Sequence, residues 1–140
     1  MMSTPDIFYV EDDPDYAFIL QTAIGEIQEE LKLSIVEDGR DAIDQLRLFS
    51  DEKNLPKLIL LDLNLPGLSG LDILKTIKEM PHLKYIPVIL FSTSDNPQDV
   101  KASYEFGANA YVTKPDGYNN LLTCLKTMHE FWFLQNRGLN

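Results

Sequence analysis

The chain has 140 residues, 44% hydrophobic and 24% charged, which fits one domain of ordinary size with a real interior and excludes an intrinsically disordered protein. Twelve basic residues against 22 acidic ones leave a formal charge of −10, which argues against nucleic acid or an anionic membrane surface as partner and suits a site that takes cations. Cys124 is the single cysteine beside His82 and His129, so neither an internal disulfide nor a zinc-ligand spacing is available. No apolar run approaches the ~18 residues of a membrane span, and the first residues carry no secretory pattern, so a cytoplasmic protein that does not engage membranes is expected.

Ile7 to Val10 reads as a first strand. Asp13 then stands where an N-cap would, with Pro14 at the first helical position, and Ala17, Leu20, Ile24, Ile27 and Leu31 recur at helical spacing. Leu33 to Val36 is the second predicted strand. Asp38 caps a helix whose inner face is Ala42, Ile43, Leu46 and Phe49. After a break at Pro56, Leu58 to Leu61 form the third strand. Ser69-Gly70 open a helix carrying Leu71, Leu74 and Ile77, which Pro81 ends. Ile86 to Phe91 is the fourth strand, with Pro87 near its start. Asp95-Asn96-Pro97 begin a short helix that Gly107 stops in a left-handed cap. Ala110 to Val112 is the fifth strand, and the last helix runs from about Asn119-Asn120 to about Gln135.

Strand and helix therefore alternate along the whole chain. The third and fourth strands are continuously apolar, as expected where helices cover both faces of a parallel sheet. The predicted architecture is α/β, a doubly wound three-layer parallel sheet, occupying residues 1–140 as one domain with no linker and no effector domain.

In open sheets of this class ligands bind beyond the carboxyl ends of the strands. Glu11, Asp12 and Asp13 follow the first strand, Asp62 the third, Ser92 and Thr93 the fourth, and Lys114 the fifth. Each has an ordinary reading. Asp13 and Asp15 are helix-start acids favoured by the macrodipole, Asn64-Leu65-Pro66-Gly67 is a turn signal, and Lys114 viewed alone is a solvated lysine. Their joint placement at four strand ends is the signal. Converging carboxylates repel unless a cation relieves them, and Mg²⁺ takes oxygen ligands while leaving room for phosphate oxygens. A metal, an ammonium and a hydroxyl together neutralise a transferring phosphoryl group. Asp62, ionised at neutral pH, is a nucleophile that needs no general base.

The chain resembles the receiver domain of two-component response regulators over nearly its whole length. The resemblance rests on Val10-Glu11-Asp12-Asp13, Asp38-Gly39-Arg40-Asp41-Ala42, the run from Leu61-Asp62 to Ser69-Gly70, Pro87 to Ser92, and Gly107 to Lys114-Pro115. It implies a five-stranded (βα)5 sheet in the flavodoxin-like order 2-1-3-4-5, the order for which a receiver protein is a standard example. It implies Asp62 as phosphoacceptor, Asp12 as a direct Mg²⁺ ligand with Glu11 acting through water, and a backbone carbonyl from Asn64. Ser92 takes the place of the switch hydroxyl, Lys114 of the phosphate-pairing lysine and Tyr111 of the aromatic that follows Ser92. The Lys114–Pro115 bond is typically cis in such proteins. The pattern departs from the family in Glu11 for the commoner Asp, Ser92 for the commoner Thr, and Asp116-Gly117 where an aromatic is common.

The implied function is that of a phosphoacceptor rather than an enzyme. It takes phosphate from a sensor histidine kinase and hands the signal, by contact, to an unidentified downstream protein through the surface of the fourth helix, fifth strand and fifth helix. A Mg²⁺-dependent phosphohydrolase of the haloacid dehalogenase type is the rival reading, but it wants a second Asp where Asn64 stands. A degenerate receiver acting as a constitutive binding module is disfavoured by the full set of chemical residues. The last helix carries Leu121, Leu125, Met128 and Trp132 on one stripe, and also Leu122, Cys124, Phe131, Phe133 and Leu134. That excess reads either as extra packing or as a homodimer or partner interface. Its Glu130-Phe131-Trp132 ending resembles receivers that serve phytochrome-type kinases.

Overall fold

The computed structural model describes residues 4–49 and 54–138. Five strands, β1 (Ile7–Val10), β2 (Leu33–Val36), β3 (Leu58–Leu61), β4 (Val88–Ser92) and β5 (Ala110–Thr113), alternate with α1 (Pro14–Ile27), α2 (Gly39–Arg47), α3 (Gly70–Glu79), α4 (Pro97–Glu105) and α5 (Tyr118–His129). All strand pairs are parallel and the order is β2-β1-β3-β4-β5.

The period of two in each strand divides the core into two layers. Phe8, Val10, Ile59, Leu61, Val88 and Leu90 pack with residues of α2 and α3 such as Leu46, Ile73 and Leu74. Ile7, Tyr9, Leu58, Leu60, Ile89 and Phe91 pack on the other face with Leu20 and Ile24 of α1 and Leu121, Leu125 and Met128 of α5. By contrast, α4 buries a single residue, Ser103. This helix is the least buried of the five.

The expected caps are present. Asp13 accepts from the amides of Asp15 and Tyr16 at 3.0 and 3.4 Å, with Pro14 opening the helix. Asp38 accepts from Arg40 and Asp41 at 2.7 and 3.2 Å. Ser69 and Asp72 form a reciprocal capping box on α3.

Several boundaries differ from expectation, among them one-residue extensions of β4 to Ser92 and β5 to Thr113. Helix α1 ends at Ile27, and Leu31 reaches the core from the turn that follows, where its amide bonds Gln28 at 3.2 Å, because the chain must reverse to enter β2. Strand β4 starts at Val88, not Ile86. Pro87 has no N–H for the ladder, and the Val88 amide donates to Asn109 Oδ1 at 2.9 Å instead. Helix α5 starts at Tyr118 behind Gly117, whose φ is +84° and which offers no side-chain cap. It gives way after His129 to a π-helical turn, Glu130–Gln135. Of the surplus apolar residues there, Leu122, Cys124 and Phe133 pack against the core, whereas Phe131 and Leu134 are exposed. No peptide bond among the described residues is cis, Lys114–Pro115 included, in line with the modest trans preference that remains before proline.

Candidate functional site

The ladder itself delivers the site residues to one rim. Glu11 follows β1 and donates its amide to Val36 at 3.0 Å, and Asp62 follows β3 and donates its amide to Val10 at 3.1 Å. Register and one further bond extend the rim across β4 and β5: Ser92 stands opposite Thr113, and the Lys114 amide donates to the Ser92 carbonyl at 2.7 Å. Backbone pairing thus brings together groups that lie 52 and 103 residues from Lys114 in the chain.

Lys114 is the centre of the arrangement. Its ammonium donates to Glu11 Oε1 at 2.5 Å and to Asp62 Oδ2 at 3.1 Å, and its side chain is 6% exposed. Glu11 is fully buried, with Oε1 also accepting from the Tyr9 hydroxyl at 2.6 Å and Oε2 from the Asp13 amide at 3.3 Å. Burial, and then the neighbouring Asp62 carboxylate, push the Glu11 pKa up, against the lowering pull of Lys114 and Tyr9. Asp62 is buried and its Oδ1 accepts from the Asn64 amide at 3.3 Å. Asp12 is exposed beside them.

One carboxylate oxygen each from Glu11, Asp12 and Asp62 lies within 4.8 Å of the others. With Lys114 the cluster holds three acids and one base, an excess of negative charge that a hard divalent cation would relieve. The donor set, all oxygen and partly open through Asp12, fits such an ion. Both oxygens of Glu11 and both of Asp62 already accept from protein donors, which leaves the exposed Asp12 as the freest ligand. Asp13 is committed to capping α1 and lies outside the cluster. The structure puts Asn64 next to Asp62 through its amide; its side is exposed.

Ser92 is fully buried and its Oγ accepts from the Ser94 amide at 3.2 Å. Ser94 is a junction that the sequence did not mark. Its hydroxyl donates to Asp99 of α4 at 2.7 Å, and its carbonyl accepts from the Tyr111 hydroxyl at 2.8 Å. Tyr9 was also unmarked, although it lies two residues before Glu11 on the same strand face, a signal that period-two reading could have used. Gly70 was read only as a helix opener. A Cβ there would lie 2.1 Å from the Asp62 carbonyl oxygen, so its lack of a side chain is what lets α3 close on the turn that carries Asp62.

Residues 7–126 match the response regulator receiver domain. The chain belongs to this family. The receiver is 38% identical over 128 residues to the response regulator Rcp1 of Synechocystis sp., covering 90% of this chain and 87% of that protein. It superposes on the phosphorylated cyanobacterial phytochrome response regulator RcpA with a TM-score of 0.87 at 36% identity, covering 97% of this chain and 99% of that one. The Mn²⁺-bound form of Rcp1 aligns with a TM-score of 0.81 at 34% identity, over 96% of this chain and 99% of that one. The fold and strand order of this receiver are those its sequence resemblance implied. No helix among its described residues is long and apolar enough to cross a membrane.

Proposed function

We propose that this receiver accepts a phosphoryl group on Asp62 from the phosphohistidine of a sensor histidine kinase and signals by protein contact. The observation that carries the reading is the Lys114 ammonium shared between Glu11 and Asp62, with Asp12 beside them. An Asp62 oxygen forms the new bond to phosphorus while the P–N bond of the donor breaks, its electron pair staying on the imidazole. Asp12 and Asp62, with Glu11 and the Asn64 carbonyl in support, would hold Mg²⁺, which when bound would supply charge neutralisation for the phosphoryl oxygens. Lys114 exchanges its Asp62 contact for a phosphoryl oxygen. The Ser92 hydroxyl, which now only accepts from Ser94, has a proton free to donate to the same group. In the slow return step a water oxygen bonds phosphorus, the acyl–phosphate bond breaks, and the Asp62 carboxylate is regenerated. The receiver is therefore a phosphoacceptor and not a turnover enzyme.

A movement of Ser92 toward the phosphoryl group draws on Ser94, and Ser94 holds both α4 through Asp99 and β5 through Tyr111. The equilibrium between two arrangements of the α4/β5/α5 surface is thereby biased. Similarity to RcpA and Rcp1 favours a phytochrome-type kinase as donor, and hence a cytoplasmic setting. Exposed Tyr104 on α4, Phe106 just after it, and Phe131 and Leu134 after α5 favour a homodimer or a downstream protein on that surface.

Incubation with Mg²⁺ and acetyl phosphate tests the reading. One acid-stable, base-labile phosphate is expected, lost on chelation and in Asp62→Asn. Labelling that persists in Asp62→Asn refutes Asp62 as acceptor, and turnover of small phosphate esters would favour a hydrolase.

A further inference from the structure

Beyond its two carboxylate partners, Lys114 has a third neighbour. Its ammonium lies over the ring of Tyr16, 4.5 Å from the centroid. Tyr16 comes from the first turn of α1, immediately behind the Asp13 cap, and its ring meets Phe91 of β4 in an edge arrangement at 6.1 Å. The phenol oxygen is buried with no hydrogen-bond partner. Burial, and after it the neighbouring Cys124, Glu11, Asp116 and Asp62, push the Tyr16 pKa up, so the group near Lys114 is a neutral phenol. The attraction is therefore that of a ring face for a cation and not of a phenolate for a cation.

We propose that Tyr16 is a positioning residue for phosphoryl transfer, its ring holding the Lys114 ammonium at the rim while that ammonium changes partners. This inference rests on the function proposed above. Lysine is a point charge on a flexible four-carbon stem, and in the resting protein two carboxylates hold it. On phosphorylation the Asp62 oxygen becomes part of an acyl phosphate, a mixed anhydride, and a phosphoryl oxygen must take over. A hydrogen bond to a fixed acceptor would resist that change of direction. A ring face does not, because its attraction depends on distance to the quadrupole and hardly on where the N–H bonds point.

Two substitutions separate the ring from the rest of the residue. Tyr16→Phe keeps the ring and removes an oxygen that bonds nothing. Tyr16→Leu keeps apolar volume against Phe91 and removes the quadrupole. With saturating Mg²⁺ and acetyl phosphate, Tyr16→Leu is expected to slow Asp62 labelling about fivefold, equivalent to about 1 kcal/mol. Its Mg²⁺ affinity by calorimetry is expected to stay within about twofold of native, because the ligands are untouched. Tyr16→Phe restores the rate. In NMR spectra the Lys114 Hε protons of the native protein are expected upfield by ring current, a displacement kept in Tyr16→Phe and lost in Tyr16→Leu.

Native-rate labelling of Tyr16→Leu overturns the inference and leaves the phosphoacceptor reading intact. Equal slowing in both variants also overturns it, because the ring is then not the agent. Lys114 Hε resonances without an upfield displacement in the native protein overturn it even if Tyr16→Leu does not fold. A native protein that takes no phosphate overturns the proposed function and this inference together.

Discussion

Lys114 carries more of the site than any other residue, and its surroundings determine what its removal does. It is nearly inaccessible and bridges two buried carboxylates. Breaking a buried ion pair by deleting one partner costs about 3–5 kcal/mol in general. Here burial and the neighbouring Asp62 push the Glu11 pKa up, and loss of the ammonium removes one of the groups that hold it down, so Glu11 can take up a proton and donate to Asp62. Lys114→Met is therefore expected to cost about 1–3 kcal/mol, the range for leaving a buried polar group poorly satisfied, measured by urea unfolding. Labelling of Asp62 should fall by roughly 100-fold or more, as when one donor to a developing charge is removed. Glu11 gives a pH prediction. Its folded pKa lies above its unfolded value of 4.5, so the folded state binds more protons in the interval between them. The contribution of Glu11 to stability is thus complete below the unfolded value and is lost as pH rises through the folded one. Without divalent cation, Glu11→Gln should gain in Tm relative to the native protein as pH rises from 4.5 toward neutrality. Saturating Mg²⁺ should shrink that gain, since a cation opposes protonation.

Turns and helix starts position these side chains, and Gly70 is the tightest point among them. The atoms a Cβ would meet are backbone, the Asp62 carbonyl oxygen at 2.1 Å and carbon at 2.9 Å, and the Gly70 amide also bonds Leu63 at 2.9 Å. Nothing there can rotate away, so Gly70→Ala must shift the segment that bears Asp62. A loss of about 1–3 kcal/mol or more is expected, with slower labelling at unchanged Asp62, read from a denaturant midpoint and an acetyl phosphate time course. The caps were legible because they are local chemistry: Asp13-Pro14, Asp38 and Ser69 each act within three residues of themselves. The start of β4 was less so, because the Asn109 side chain that receives the Val88 amide is 21 residues away. The loose seating of α4 was not legible at all. Its sequence has apolar residues, Val100, Ala102 and Tyr104 among them, but burial falls on Ser103 alone.

At the level of the whole chain, a strongly acidic molecule with one cation-hungry rim also leaves Phe131 and Leu134 uncovered after α5. If phosphorylation biases the α4/β5/α5 face toward self-association, acetyl phosphate with Mg²⁺ should shift the sedimentation profile toward dimer, and Phe131→Lys with Leu134→Lys should prevent it. A monomer at high concentration in both states would refute the homodimer.

The strand and helix rhythm, the apolar character of both inner strands and the strand-end placement of Glu11, Asp12, Asp62, Ser92 and Lys114 could all be read from the chain, since periodicity and capping express interactions between near neighbours. The order of the strands came from family resemblance and not from periodicity, which is blind to which strands pair. The ammonium shared by Glu11 and Asp62, the Tyr9 hydroxyl on Glu11 and the Tyr16 ring beside Lys114 depend on long-range register and on rotamers set by packing, so they exist only once the sheet has closed.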